Sequence, residues 1–295
     1  MSTHSINRRT WLRAAAGVVS VAGLGSALGS FRHALGLQLY TVRNLISGRE
    51  DETLRRIAEV GYTEVEMTGG SMETFGPILA KYKLKAVSSH LDALSISADP
   101  PAEYKGPPLD QLIAAAKRHG VEYLVFPYLP PERRGGLEVY KRLAEKLNGA
   151  GERVRAAGLT FCYHNHAFEF AGEKGHRPID VFKANLDKTL VKFEIDVFWV
   201  SVAGNDPVEI LKEFAGQVPL IHLKDKAAGT PVQYDERVPK ETFKEVGSGV
   251  LDFSAILRSA EAAGAKHYFV EQDQTPGDPI DSIRKSYEFL RSVKV

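Results

Sequence analysis

Short apolar runs alternate with amphipathic helical stretches along this chain, and the alternation is its tightest constraint on fold. Residues 35–41, 63–67, 85–90, 122–126, 159–163, 191–196, 220–223 and 266–271 read as strands. Helical spacing of apolar residues marks 51–60, 72–82, a segment ended by Gly120, and then 137–157, 178–185, 206–214, 252–263 and 279–295. Asp206 followed by Pro207 is an N-cap with proline at the first helical position. Eight strand–helix units imply an α/β fold, a single closed (β/α)8 barrel. A doubly wound open sheet uses the same alternation. Two features favour the barrel. The count reaches eight, and polar side chains end many strands instead of gathering at one switch point. No glycine-rich dinucleotide loop follows the first strand.

The polar strand ends carry the chemistry. The apolar run 159–163 delivers His164, Asn165, His166 and Glu169; 191–195 ends in Asp196; Leu220-Ile221 ends in His222; and Tyr268-Phe269-Val270 ends in Glu271. Metal-capable groups at the exits of buried strands are costly to place without a use. In a barrel these exits share one mouth. Glu66, His90 and Lys224 end other runs and join the same set. Carboxylates with one or two imidazoles suit one divalent metal, Mn2+, Mg2+, Co2+ or Zn2+, with positions open to substrate oxygens. Tyr40 and Trp199 are candidates for a flat apolar wall at this mouth. His119, His176 and His267 lie at a helix end, in a loop and at a strand start, and receive no role. Gly247-Ser248-Gly249 reads as a turn ahead of the N-cap Asp252, in preference to a phosphate loop.

Five segments give the chain a family resemblance: His-Asn-His-Ala-Phe-Glu at 164–169, Ile-Asp-Val-Phe-Trp at 195–199, His-Leu-Lys-Asp at 222–225, Gly-Ser-Gly at 247–249 and Val-Glu-Gln-Asp at 270–273. Over about residues 35–290 the chain resembles the sugar isomerase/epimerase superfamily with the xylose-isomerase-like barrel. That superfamily includes ketose 3-epimerases, hydroxypyruvate isomerase, inosose dehydratase and endonuclease IV. The resemblance implies one metal held by Glu169, Asp196, His222 and Glu271, with Glu169 and Glu271 also moving the substrate proton. His164 and His166 stand at the strand end itself, and are assigned with Tyr40, Glu66, His90, Trp199 and Lys224 to substrate binding. The expected function is a metal-dependent sugar isomerase or epimerase working through an ene-diolate. A keto-sugar lyase or dehydratase on the same site, or a non-catalytic sugar-binding barrel, are the alternatives.

Composition narrows the partners. A net charge of +1 gives no basic excess for nucleic acid. One cysteine, Cys162, rules out an internal disulfide and any cysteine-rich zinc site. The expected partner is a small sugar or keto-sugar, and a homo-oligomer is compatible with the sequence. Residues 1–30 have the layout of an export signal: Arg8-Arg9-Thr10-Trp11-Leu12, then a small and apolar run. The paired arginines resemble a twin-arginine signal. The expectation is export to the periplasm, signal removal, and no stable membrane association by the mature barrel of 31–295. Loss of residues 1–30 removes three arginines and no acids, so the net charge becomes −2.

Overall fold

Eight parallel strands close on themselves in this protein, as the alternation requires. The computed structural model describes residues 29–69, 71–97 and 100–295. The export-signal expectation therefore lies outside the described residues, apart from Gly29 and Ser30. The barrel strands are β1 (Leu35–Gln38), β2 (Glu64–Met67), β3 (Lys85–His90), β4 (Tyr123–Phe126), β5 (Thr160–His164), β6 (Val191–Asp196), β7 (Leu220–Leu223) and β8 (His267–Val270). Each pairs with the next, and β1 pairs with β8 to close the ring. The Phe31 N–H donates to the Val293 carbonyl oxygen at 3.2 Å, which ties the segment before β1 to the C-terminal end.

Strand alternation builds two cores. One face of each strand packs against the helices in a large apolar layer. The other faces the barrel axis, where Val87, Tyr123, Val125, Cys162, Leu220 and Phe269 form a separate small cluster. Phe269 fills the axis because Gly36 stands opposite it in register. A Cβ on Gly36 would lie 2.3 Å from the Phe269 ring. Above this apolar plug the same inward rows turn polar: Leu220 is followed two residues on by His222, Phe269 by Glu271 and Cys162 by His164.

Two elements were not legible as such. Val197–Val202 forms a short helix directly after β6, started by Asp196, whose Oδ1 accepts from the N–H groups of Phe198 and Trp199. The long connection after β7 holds a two-stranded antiparallel ladder, Asp225–Lys226 with Phe243–Lys244. Asp225 organises its return. Its buried carboxylate accepts from the backbone N–H groups of Lys226, Gly247, Gly249 and Leu251 at 2.8, 3.0, 2.8 and 3.1 Å. A Cβ on Gly249 would fall 2.3 Å from the Lys226 carbonyl oxygen, so glycine is required there. The glycine pair is the turn expected from the sequence, and its amides are spent on Asp225.

Candidate active site at the barrel mouth

The polar layer begins with Glu66 at the end of β2. Its Oε1 accepts from Gln38 Nε2 at 2.7 Å and lies 2.7 Å from His222 Nε2 and 2.9 Å from His90 Nε2; Ser88 donates to the other oxygen. Glu194, inward on β6, lies 2.8 Å from His90 and 3.0 Å from His164. Burial opposes charge on Glu66, yet His90 and His222 hold its carboxyl well below the usual range. Burial and Glu66 likewise oppose charge on Glu194, yet His222 and His164 bring it down to about 2. Burial disfavours protonated His90, but Glu66 and Glu194 raise it to about 10. His222 is raised by the same two carboxylates against the same burial. His164 is the contrast: burial dominates and keeps it neutral at neutral pH.

One layer higher, Asp196, Glu271 and Asp273 surround Lys224. Its Nζ lies 3.0 Å from Asp196 Oδ2, 2.6 Å from Glu271 Oε2 and 2.9 Å from Asp273 Oδ1. Burial opposes this ammonium, but the three acids hold it protonated. Glu271 Oε2 is also 2.9 Å from His222 Nδ1. Against burial, Lys224 and His222 keep Glu271 ionised. Asp273 is pushed up to about 6 by burial, which outweighs Lys224.

These groups floor a cavity of about 440 Å³. Tyr40 and Tyr128 line it together with Trp199 and His166. His166 is held neutral by burial and by the nearby Lys224 charge. Its Nδ1 and the Trp199 Nε1 are buried without a hydrogen-bond partner. Both are thus free to bond a ligand. Tyr40 stands at the rim, half-exposed, under the Arg43 guanidinium at 4.0 Å. The connection after β7 crosses the rim: Glu236 accepts from Arg134 Nη2 at 2.9 Å and from the Tyr128 hydroxyl at 3.2 Å. Arg134 also lies 3.5 Å over the Phe168 ring.

The residues expected at the site are brought together with one exception. Tyr40, His90, His164, His166, Trp199, Lys224 and Glu271 line the cavity, and Glu66, Asp196 and His222 lie beneath it. Glu169 does not reach it. β5 ends at His164, and the chain then turns through Phe168–Phe170. Tyr163 points outward, with its ring centroid 4.4 Å from that of Phe182. Glu169 folds onto it, accepting from its hydroxyl at 2.7 Å and from the His166 N–H at 2.9 Å. The geometry keeps Glu169 apart from both metal-capable groups. Burial raises it to about 8, only partly offset by the Tyr163 bond. Sequence reading also passed over Glu194 and Asp273. Strand alternation could have found Glu194, because it lies two residues before Asp196 and shares its face.

Among the described residues, two groups of side chains have ligand atoms all within 4.8 Å of one another: Asp196, His222 and Glu271; and His90, His164, Glu194 and His222. The first fits the divalent ion expected from the sequence. Its donors are two carboxylates and one imidazole, a set that suits such an ion, and Asp196 Oδ2 is buried with Lys224 Nζ 3.0 Å away. Lys224 sits beside that oxygen, and Asp273 remains its partner if an ion takes the carboxylates.

Known proteins share this architecture. An inosose dehydratase from Klebsiella pneumoniae subsp. pneumoniae is 27% identical over 166 residues, covering 52% of this chain and 55% of that enzyme. The chain thus spans about half the length of the curated relatives it matches. Two structures of sugar phosphate isomerase/epimerases from Parabacteroides distasonis superpose over most of the barrel. One has a TM-score of 0.72 at 24% identity, covering 89% of this chain and 99% of the other. The second has 0.69 at 26%, covering 92% and 98%. The profile of the xylose isomerase-like TIM barrel matches residues 54–293, and with its closed eight-stranded barrel this chain belongs to that family.

Proposed function

We propose that this chain is a sugar-modifying enzyme that removes a proton next to a substrate carbonyl and returns it at another face or carbon. The observation that carries this reading is the mouth itself. Ionised Glu271, protonated Lys224 and neutral His166 line one cavity whose aromatic wall includes Trp199. Glu271 is the proton acceptor. Lys224 donates hydrogen bonds to the oxygens on which negative charge develops. His166 and the Trp199 N–H bond substrate hydroxyls, and the indole and Tyr128 rings cover the apolar face of the sugar. Asp196, His222 and Glu271 would hold a divalent ion, which supplies positive charge against an ene-diolate.

A second reading has a specific observation behind it. Asp273 lines the cavity, and burial pushes its carboxyl up to about 6. It can protonate a leaving oxygen after the same first step, giving a lyase or dehydratase. The inosose dehydratase relatives support this outcome. Incubating the mature chain with ketoses, inososes and keto-glycosides in D2O tests both readings. Deuterium in recovered sugar or its epimer supports isomerisation, and an unsaturated product supports elimination. Absence of both across the panel overturns the enzyme reading. The paired Arg8-Arg9 carries the accompanying proposal that the enzyme works after export. Retention of an Arg8→Lys, Arg9→Lys variant in the cytoplasm supports it, and unchanged export overturns it.

A further inference from the structure

The second metal-capable group shares His222 with the upper one, and the proposed reaction makes no use of its other members, His90, His164 and Glu194. We propose that His90, His164, Glu194 and His222 form a second divalent-metal site with the donor set of a Zn2+-type ion. The four side chains come from four strands, β3, β5, β6 and β7, and meet on the barrel axis. Glu194 Oε2 lies 2.8 Å from His90 Nε2 and 3.0 Å from His164 Nδ1, and Glu194 Oε1 lies 3.4 Å from His222 Nε2. Bonds of about 2.0–2.1 Å to a tetrahedral ion place neighbouring donors roughly 3.3–3.5 Å apart. The ligand atoms of all four lie within 4.8 Å of one another, so side-chain shifts of up to roughly an ångström bring them to that spacing.

The polar atoms here are not all used by the protein. Glu194 Oε1 is fully buried, and His222 Nε2 faces it at 3.4 Å, long for a hydrogen bond. An oxygen so weakly satisfied is costly to bury. Around it stand three imidazoles, a concentration of soft donors that an ordinary buried ion pair does not require. Glu66, fixed by Gln38 and Ser88, is a second carboxylate within reach of His90 and His222. Three nitrogens and one carboxylate suit Zn2+ or Co2+, whereas Mg2+ and Ca2+ favour oxygen-rich sets.

The two groups share one ring, so two ions at once would make His222 a bridging imidazolate that gives up the Nε2 proton now bonded to Glu66. His222 turns Nδ1 to the upper group, 2.9 Å from Glu271 and 3.9 Å from Asp196. Its Nε2 faces Glu66 and Glu194.

The test uses the full mature chain, stripped by chelation and titrated with Co2+, with metal per chain counted after dialysis. Four-coordinate cobalt gives intense visible bands, so coordination is read apart from activity. The expected result is two ions per chain. Asp196→Asn keeps one ion and the bands; Glu194→Gln and His90→Ala each keep one ion and lose the bands. A single wild-type ion lost in Glu194→Gln but kept in Asp196→Asn supports the deep site and removes the upper one. A single ion kept in both deep-site variants, or no ion at all, overturns the proposal. The wild-type count of none, or the survival of the bands in either variant, decides this even if the other variant does not fold.

Discussion

His222 and Glu66 meet across the barrel axis with Nε2 2.7 Å from Oε1, which leaves Nδ1 facing Glu271 at 2.9 Å. One carboxylate from β2 thereby sets the orientation of an imidazole on β7. A metal-ligating histidine is usually held in this way by a partner on its far nitrogen.

Glu66→Gln keeps the size of the side chain and removes the charge that orients His222. Divalent-ion affinity is expected to fall by roughly tenfold or more, the usual effect of losing such a partner. Mn2+ titration of the stripped protein measures it. Unchanged affinity would mean that packing alone holds the ring.

Glu169 makes folding stability depend on pH. Its folded value of about 8 lies above its ordinary value of 4.5, so the folded state binds more protons between the two. The contribution is fully present below about 4.5 and is lost as pH rises through 8. The melting temperature of Glu169→Gln should fall less between pH 5 and pH 8 than that of the wild type. Parallel melting curves across this window would contradict a buried, neutral Glu169.

Asp225 satisfies four backbone amides at once, and among the described residues no other side chain bonds Gly247 or Gly249. Asp225→Ala strands these donors and should cost about 3 kcal/mol or more, given roughly 1.5–3 kcal/mol per charge-assisted bond. Urea denaturation measures the loss. A cost below about 1 kcal/mol would mean that water replaces the carboxylate.

The Arg134–Glu236 pair holds the connection after β7 across the rim and is largely shielded from solvent. Arg134→Ala loses this pair and the stacking on Phe168, together worth about 1 kcal/mol. With a substrate identified, KM should rise about fivefold with kcat little changed, since about 1.4 kcal/mol is a factor of ten. A fall in kcat with unchanged KM would place Arg134 in the chemistry instead.

The fold was legible because a barrel repeats one simple pattern, and eight apolar runs with eight amphipathic segments admit few closures. The strand ends were legible for the same reason: His164, Asp196, His222 and Glu271 each follow an apolar run. Glu169 was misplaced because motif order says nothing of direction. Once β5 ends, the next turn carries residue 169 to the outer face, where Tyr163 takes it. Glu194 was hidden inside an apolar run, although its spacing from Asp196 marks the inner face. The Arg134–Glu236 pair joins loops 102 residues apart, a contact no local pattern signals.

Glu271 joins the proposed proton transfer to the proposed metal site, so its amide variant is the most direct test. Deuterium exchange into bound sugar in D2O, followed by mass spectrometry, should be measured for wild type and Glu271→Gln beside sugar binding by calorimetry. The account predicts exchange in the wild type, and in the variant a loss of exchange by a factor of about 10² or more, the contribution of a positioned general base, with binding retained. Exchange at the wild-type rate in Glu271→Gln would contradict it.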